Sequence, residues 1–323
     1  MKKFRNRTGW LVQRPLISLT STTPSAPSTV ASQHSIDGAA TPPRLRRGVC
    51  TLVALLTFPM FALAQAPAYR APRTPDGKPD LNGIWQVLNE ANYDIEMHAA
   101  RPAMAVRPGP YGPVPAAPVL ALGATGAVPP GVGVVEGGGL PYKPEALAKK
   151  KENQENWLNS DPEIKCYLPG VPRATYMPYP FQILQSTKAI FFAYEYAGAV
   201  RNINLKDPGP PPVDSWMGQS VGHWEGETLV VDVTGFNDQS WFDRAGNHHS
   251  DVLHVVERYT RTSPDVIQYE ATIDDPKTFT RPWKMSMALY RRQEKNAQLM
   301  DFKCVEFVEE LIYGKLRKAP LKP

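Results

Sequence analysis

The stretch Ile267-Gln-Tyr-Glu-Ala-Thr-Ile-Asp274 decides the fold that the sequence predicts. Apolar side chains occupy every second position from Ile267 to Ile273, and polar side chains occupy the positions between them. Trp283-Lys-Met-Ser-Met-Ala-Leu-Tyr290 continues the alternation after one short connection. Successive side chains of a strand point to opposite faces, so this pattern predicts strands with one buried and one wet face, as in antiparallel sheets.

Similar runs rich in β-branched and aromatic residues fill the chain after Cys166, separated by turn signals such as Ser263-Pro264-Asp265. With a first strand at Leu81–Val87, the predicted strands are Phe181–Gln185, Ala189–Tyr196, Val200–Leu205, Val221–Trp224, Thr228–Thr234, Leu253–Thr262, Val266–Ile273, Arg281–Arg291 and Gln298–Cys304. Tight connections favour pairing between sequence neighbours. We therefore predict an all-β fold, an antiparallel up-and-down β-barrel of about 8–10 strands, with a two-sheet sandwich as the alternative.

Residues 44–64 have the features of a secretory signal peptide. Arg44-Leu45-Arg46-Arg47 is a basic start, Val49–Ala64 is an apolar run, and Ala62-Leu63-Ala64 is a small-x-small cleavage site. We expect residues 1–64 to be a leader, and the mature protein to be periplasmic or secreted. The apolar run is shorter than the roughly 20 residues of a membrane-spanning helix, so no stable membrane insertion is predicted.

Removing the leader reverses the net charge. The whole chain has 36 basic and 31 acidic residues and a net charge of +5, but eight of the basic residues and only one of the acidic residues precede residue 65. The mature chain is therefore slightly acidic, and no nucleic-acid partner is predicted. The partner that we expect is a small-molecule ligand, and the oligomeric state is left open.

Two cysteines remain after the leader, Cys166 and Cys304. Two cysteines of one domain in an oxidising compartment most often pair, so we predict a disulfide between them. The alternative is a reactive thiol, which the absence of a Cys-x-x-Cys motif and of a nearby histidine disfavours.

The mature chain divides into a Pro-rich entry segment, 65–80, and a single barrel domain, 81–323. Residues 102–141 carry nine prolines and nine glycines, and we predict a surface insertion there without a packed element. Pro144–Leu158 is predicted to be a surface helix, because it begins with proline and has few apolar residues.

Gly83-Ile84-Trp85, on the predicted first strand, resembles the Gly-x-Trp signature of the lipocalin (calycin) family. In that family the tryptophan packs across the base of the barrel beneath a basic residue from a late strand. The resemblance implies a lipocalin-like barrel in which Arg291 or Arg292 supplies the basic residue.

Longer motifs are distributed over nearly the whole mature chain: Arg73–Trp85, Pro178–Gln182, Trp216–Gly218, Gly222–Gly226, Thr228–Val231, Gly235–Asn237, Trp241–Gly246, His249–Asp251, Leu253–Tyr259 and Ile273–Pro276. On these motifs the chain resembles a large family of exported bacterial proteins of uncharacterised function. That resemblance brings no assigned activity.

The connection Gly235–Asp251 is the candidate site, because long ordered loops tend to carry function and this loop contains both aromatic and charged residues. The candidate catalytic residues are Asp243, His249, His254 and Glu257. The candidate ligand-binding residues are Trp216, Trp241, Arg244 and Arg258. We expect the loop and the following strand to line or close over one mouth of the barrel. The alternative is that the aromatic side chains plug that end and Asp243 pairs with Arg244.

The strand Leu253–Tyr259 leaves two orientations open. If its apolar set faces inward, Glu257 is a carboxylate in an apolar lumen, where it either acts as a general acid or base or pairs with an arginine across strands. If His254 and Arg258 face inward, the lumen is polar and suits an anion or acid–base chemistry.

No metal site is predicted, because His223, His248, His249, His254, Asp243 and Asp251 match no ligand spacing. No cofactor is predicted, since the chain has no phosphate-binding glycine loop, no Gly-x-Ser-x-Gly motif and no Cys–His pair. The leading hypothesis is an exported, soluble protein that binds a small apolar or aromatic ligand in the barrel mouth. The alternatives are a cofactor-independent lyase, isomerase or hydrolase using residues 235–258, and a structural envelope protein.

Overall fold

The computed structural model describes residues 69–100, 106–107, 110–111, 114–115 and 130–304. The predicted leader 1–64 lies outside the described residues, as does most of the predicted insertion 102–141. Among the described residues, no helix is long and apolar enough to cross a membrane.

The regular secondary structure of the described residues is mainly β-strand. The strands are β1 Gly83–Val87, β2 Val106–Arg107, β3 Val114–Pro115, β4 Phe181–Gln185, β5 Ile190–Tyr194, β6 Val200–Asn204, β7 Gln219–Glu225, β8 Thr228–Thr234, β9 His254–Ser263, β10 Val266–Asp274 and β11 Trp283–Arg291. The helices are α1 Pro144–Glu155 and α2 Trp157–Ser160, with 3₁₀ turns at Pro162–Lys165, Arg173–Tyr176 and Tyr196–Gly198.

Nine of these strands close into a barrel, which confirms the predicted all-β barrel class. β4 to β11 follow one another around the wall in sequence order, and β1 closes the ring between β11 and β4. Trp85 is the closing residue, because it lies opposite Arg291 of β11 on one side and Phe181 of β4 on the other. β2 and β3 form a separate two-stranded sheet.

One neighbouring pair in the barrel is parallel. A closed ring with an odd number of strands cannot alternate direction at every step, so at least one pair must run the same way. That pair is β6 and β7, whose register is only Ile203 opposite Ser220 and Asn204 opposite Val221. The strict up-and-down arrangement is therefore interrupted once, where residues 205–218 carry the chain back along the barrel before β7 begins.

The alternation in β10 and β11 places side chains as the sequence predicts. Ile267, Tyr269, Ala271 and Ile273 are fully buried inside the barrel, and the intervening residues of β10 are partly exposed. Burying an aliphatic or aromatic side chain of this size stabilises the fold by about 1.5–3 kcal/mol. These inward-facing sets form the core.

The base of the barrel is the end that contains Gly83 and the short turns at 226–227 and 264–265. There Arg291 lies over the Trp85 ring, 5.6 Å from its centroid, as the lipocalin resemblance implied for one of the two arginines. Gly83 has φ 148°, and a Cβ on it would lie 3.2 Å from Arg291 Nε. Glycine at this position therefore allows the arginine to approach the strand closely.

The opposite end, which we call the capped end, is covered by polypeptide. Phe242, from the loop 235–251, contacts Trp283 at the start of β11 with ring centroids 5.5 Å apart. Tyr176 donates a hydrogen bond of 2.8 Å to the Phe242 carbonyl. The loop therefore plugs this end rather than leaving an open mouth.

Two sequence predictions about elements need correction. Gln298–Cys304 is not a strand, because the ring already closes through β1 and β11 and leaves no edge for another strand to join. Residues 130–141 of the predicted insertion are packed: Ser286 N donates to Val134 O and Glu136 N to Lys284 O, so this segment lies beside β11 beyond the end of β1. The predicted helix is present, but it is split into α1 and α2.

The predicted disulfide is confirmed. Cys166 and Cys304 are joined, with a Cα–Cα distance of 6.0 Å and a sequence separation of 138 residues. It joins the segment after the 3₁₀ turn Pro162–Lys165 to the end of the described chain, so the loop that it closes contains β4 to β11.

Candidate functional site

The loop 235–251 is a buried plug whose shape depends on Asp243. This carboxylate is fully buried and accepts hydrogen bonds from Ile95 N at 2.9 Å, Ala245 N at 2.9 Å, Asn247 N at 3.2 Å and Asn247 Nδ2 at 2.6 Å. It does not pair with Arg244, contrary to the alternative drawn from the sequence. Asp243 therefore fastens the loop to residue 95 and to the loop's own turn.

Burial and the nearby charge of Asp94 raise the pKa of Asp243 to about 7, although its hydrogen bonds to Asn247 and Ile95 act in the opposite direction. The carboxyl group is thus more easily protonated in the folded protein than in the unfolded chain. This linkage makes the stability of the plug dependent on pH.

We expect the Asp243 contribution to the free energy of unfolding to be present in full below pH 3.8, where this carboxyl group is protonated in the unfolded chain as well, and to be lost as pH rises through about 7. Relative to Asp243→Asn, which cannot titrate, the natural protein should lose about 2 kcal/mol between pH 5.5 and 8. Urea denaturation of both proteins across this range measures the difference. Buried histidines near the plug titrate in both proteins, so their contributions to the pH dependence cancel in the difference. A difference that does not change with pH would contradict the expectation.

Ser240 and His249 form a second buried contact in the plug. Ser240 Oγ lies 2.7 Å from His249 Nε2, and His249 Nδ1 lies 2.9 Å from the Ser250 carbonyl oxygen. Because Nδ1 donates to that carbonyl, Nε2 accepts from the serine, an arrangement that a serine nucleophile and its base would also adopt. However, the two residues are only 1% and 3% exposed, so the pair is closed off from solvent.

The environment of Ser240 supports a packing role. A Cβ on Gly170 would lie 2.2 Å from Ser240 Oγ, so the backbone at Gly170 presses directly against the hydroxyl. Burial also lowers the pKa of His249 and keeps the ring neutral. The pair ties both ends of the plug to the segment around Gly170.

A buried charge network holds the plug against the rest of the capped end. Arg173 forms two hydrogen bonds to Asp161, at 2.9 and 3.0 Å, and its Nε donates to Asn92 at 2.9 Å. Arg244, a predicted ligand-binding residue, donates to both carboxylate oxygens of Glu163 at 2.6 and 2.9 Å. The Arg244 side chain therefore binds the plug to Glu163 at the capped end.

The remaining predicted residues do not converge on one site. His254 and Arg258 lie on the outer wall, where they contact Asp232 and Glu225, each at 2.9 Å. The expectation that His254 lines the mouth is therefore wrong, because the apolar set of β9 takes the inward positions. Trp241 is buried, and Trp216 contacts Tyr167 with ring centroids 5.4 Å apart.

Glu257 faces the barrel interior. Its Oε1 accepts hydrogen bonds from the Tyr259 and Tyr269 hydroxyls at 2.9 and 2.8 Å, and its Oε2 accepts one from Arg201 Nη2. Arg201 Nε also donates to Ser220 Oγ at 2.7 Å. The arginine comes from β6, three strands away from β9, so the pair spans the interior rather than joining adjacent strands.

Arg201 Nη1 and the Tyr194 hydroxyl lie beside this pair, both buried, and the hydroxyl is within reach of Arg201 and of Thr175. Tyr194 ends β5, and Arg201 lies diagonally across from it on β6, so their side chains enter the same part of the interior. The rings of Phe181 and Phe192 lie 5.4 and 6.4 Å from that of Tyr194.

The charges in this cluster are well defined. Burial opposes the positive charge of Arg201, but Glu257 outweighs it and holds the pKa of Arg201 above its usual value. Burial, with the negative charge of Glu257, raises the pKa of Tyr194, Tyr259 and Tyr269. The tyrosines are therefore neutral donors.

Sequence reasoning missed Arg201, Tyr194 and Ser240. A signal existed for Arg201, since it alternates in phase with the apolar Ile203 and both are buried. No comparable pattern marked Ser240, which lies in a loop without regular structure.

Comparison with protein-family models, curated proteins and solved structures found no match for this chain. Within the described part of the chain, no group of three or more His, Cys, Asp or Glu side chains is placed to hold a metal ion. The candidate site is therefore chosen from contacts and burial. It is the interior cluster of Arg201, Glu257, Tyr194, Tyr259 and Tyr269.

Proposed function

We propose that this protein binds a small, largely apolar or aromatic ligand inside the barrel, beneath the capped end. The observation that carries the proposal is a closed barrel whose interior places a buried ion pair, Arg201 and Glu257, and tyrosine hydroxyls among aromatic rings. Ligand sites combine apolar walls with a few placed polar groups of this kind.

The walls around these groups suit such a ligand. Phe192 stacks edge-on to Tyr259 with centroids 5.2 Å apart, and Phe181 lies 5.8 Å from Phe192. Aromatic rings packed this closely present both faces and edges that an apolar molecule can contact. The plug 235–251 and the turn Arg173–Tyr176 close over the site, so we propose that they move when the ligand enters.

Binding is preferred to catalysis because the predicted acid–base residues are separated. His254 is outside the barrel, Asp243 and His249 lie in the plug, and Glu257 is engaged by Arg201 and two tyrosines. An enzyme needs its acid, base or nucleophile to meet at one reacting atom. A structural envelope role remains the alternative, and absence of ligand binding would favour it.

Export remains part of the proposal. The disulfide between Cys166 and Cys304 supports it, because such bonds persist in oxidising compartments.

Titration with single-ring aromatic compounds tests the binding function. We expect saturable 1:1 binding of acetophenone in calorimetry, with shifts of the indole NMR signals of Trp85 and Trp283, which face the interior. Trp157, on the surface helix α2, is the internal control and should not shift. If no single-ring compound binds, or if only the surface signal responds, the proposed function is wrong.

A further inference from the structure

We infer that a groove beside the capped end binds a second kind of ligand, a small organic cation with an aliphatic body. The groove lies outside the ring of strands, so this inference goes beyond the proposed function and does not depend on it. It follows from the shape of the groove, the side chains that line it and their charges.

The groove is a cleft between two segments of the chain. One wall is formed by residues 88–91 and 94, which follow β1, and the other by residues 130–134. The cleft has a volume of about 290 Å³, close to the lower end of the range of roughly 300–1,000 Å³ that is typical of small-molecule sites. It therefore has room for a small free molecule.

Hydrogen bonds hold the two walls in place. His98 and Gly131 exchange backbone hydrogen bonds of 2.9 and 3.0 Å, and Val134 N donates to Ile95 O at 2.9 Å. A Cβ on Gly131 would lie 2.5 Å from the His98 ring, so glycine allows the two segments to approach closely. Ile95 N in turn donates to Asp243 of the plug. The groove is therefore preorganised, which reduces the entropy cost of binding.

The walls present aliphatic surface to water. Leu88 is 72% exposed on one wall, and Val132 is 91% exposed on the other. Ala91, Pro130 and Val134 add aliphatic carbon, and no aromatic ring lines the groove among the described residues. Single exposed apolar side chains are common, but here two face one cleft. A ligand with an aliphatic body would remove both from water.

The charged residues that line the groove are both acidic. Among the described lining residues these are Glu90 and Asp94, and none is basic. Asp94 accepts a hydrogen bond of 3.0 Å from Glu96 N, and its Oδ2 lies 3.9 Å from His98 Nδ1. That nitrogen lies closer, 3.0 Å, to the Glu96 carbonyl oxygen. The groove therefore favours a positively charged ligand.

Two cations of the surrounding cap already have acidic partners. Lys150 pairs with Glu96, and Arg244 pairs with Glu163. Burial and then the charge of Asp94 raise the pKa of Asp243, so the negative field of Asp94 reaches the plug. An anion in the groove would be repelled, whereas an ammonium group would gain two carboxylates and could donate hydrogen bonds to them.

Three compounds of nearly equal size test the inference. Cyclohexylmethylamine is a cation near pH 7, cyclohexylmethanol is its neutral counterpart, and cyclohexanecarboxylate is an anion. We expect the amine to shift the backbone amide NMR signals of Leu88, Val132 and Val134 saturably. Its affinity should be at least about fivefold higher than that of the alcohol, and the carboxylate should not bind.

Three variants link this preference to the groove. Val132→Lys adds a positive charge at an exposed position that the fold should tolerate, and it should weaken amine binding at least about fivefold. Val213→Lys, at another exposed valine in the connection 205–218, is the matched control and should bind the amine normally. Glu90→Gln removes one carboxylate and should reduce the preference for amine over alcohol at least about twofold.

The outcomes separate this groove from the barrel interior. If the alcohol binds as tightly as the amine, or if Val132→Lys leaves amine binding unchanged, the inference is wrong. If the amine shifts the indole signals of Trp85 and Trp283 instead of the groove amides, it binds inside the barrel, and the inference is also wrong. If none of the three compounds binds, the inference fails, whereas the proposed function is judged separately by acetophenone.

Discussion

Glu257→Ala should lower the free energy of unfolding by about 3–5 kcal/mol, among the largest effects expected for one substitution in this chain. The substitution leaves the buried Arg201 guanidinium without its counter-ion and the Tyr259 and Tyr269 hydroxyls without their acceptor. Urea denaturation followed by tryptophan fluorescence measures the change. The transition should move to clearly lower urea concentration without a change in its steepness.

Two further variants show whether the loss comes from the unpaired charge. Glu225→Ala removes the exposed ion-pair partner of Arg258, which lies on the same strand as Glu257. It should have little effect on the free energy of unfolding, since exposed ion pairs contribute little. The double variant Glu257→Leu with Arg201→Met removes both charges and should recover much of the stability. A Glu257→Ala protein that unfolds at the natural urea midpoint would show that the ion pair does not support the barrel.

Cys304→Ser should destabilise the protein by about 2–5 kcal/mol, the usual range for loss of a native disulfide. The bond closes a loop of 138 residues that includes β4 to β11, so its loss allows the unfolded chain many more conformations. For a domain of this size we expect the melting temperature to fall by roughly 5–15 °C. Differential scanning calorimetry measures the shift.

Replacing either cysteine removes the same bond, and this provides the controls for the disulfide. Cys166→Ser, Cys304→Ser and the double variant should melt at nearly the same temperature, because a second substitution has nothing further to break. Dithiothreitol should lower the melting temperature of the natural protein and leave the variants unchanged. Equal melting of reduced and oxidised natural protein would contradict the stabilising role.

The strands were predictable where one face is wet and the other buried. In β10 and β11 the alternation of apolar and polar residues gives both the strand and its orientation. Gln298–Cys304 has the composition of a strand, but a strand also needs an edge to pair with, and β1 already occupies that position beside β11. Composition alone does not contain this competition between distant segments.

The site was less predictable because it depends on which groups meet across the barrel. Glu257 was identifiable as a carboxylate on an apolar face, but its partner Arg201 comes from a strand 56 residues away. The loop 235–251 was correctly recognised as unusual for its length and side chains. Its role as a buried plug depends on contacts with Ile95, Glu163 and Gly170, which local sequence does not indicate.

The position of β1 also determines when the barrel can close during folding. This strand emerges early in synthesis, yet both of its neighbours, β4 and β11, lie far along the chain, and Gln86 and Arg292 are hydrogen-bonded across 206 residues of sequence. Contacts between such distant residues slow folding, because a long loop must be ordered before they form. Residues 83–87 can pair with β4 once residue 185 is made, but their other edge stays unpaired until the last strand is made. During that interval the incomplete barrel exposes two open edges, which makes it most vulnerable to aggregation then.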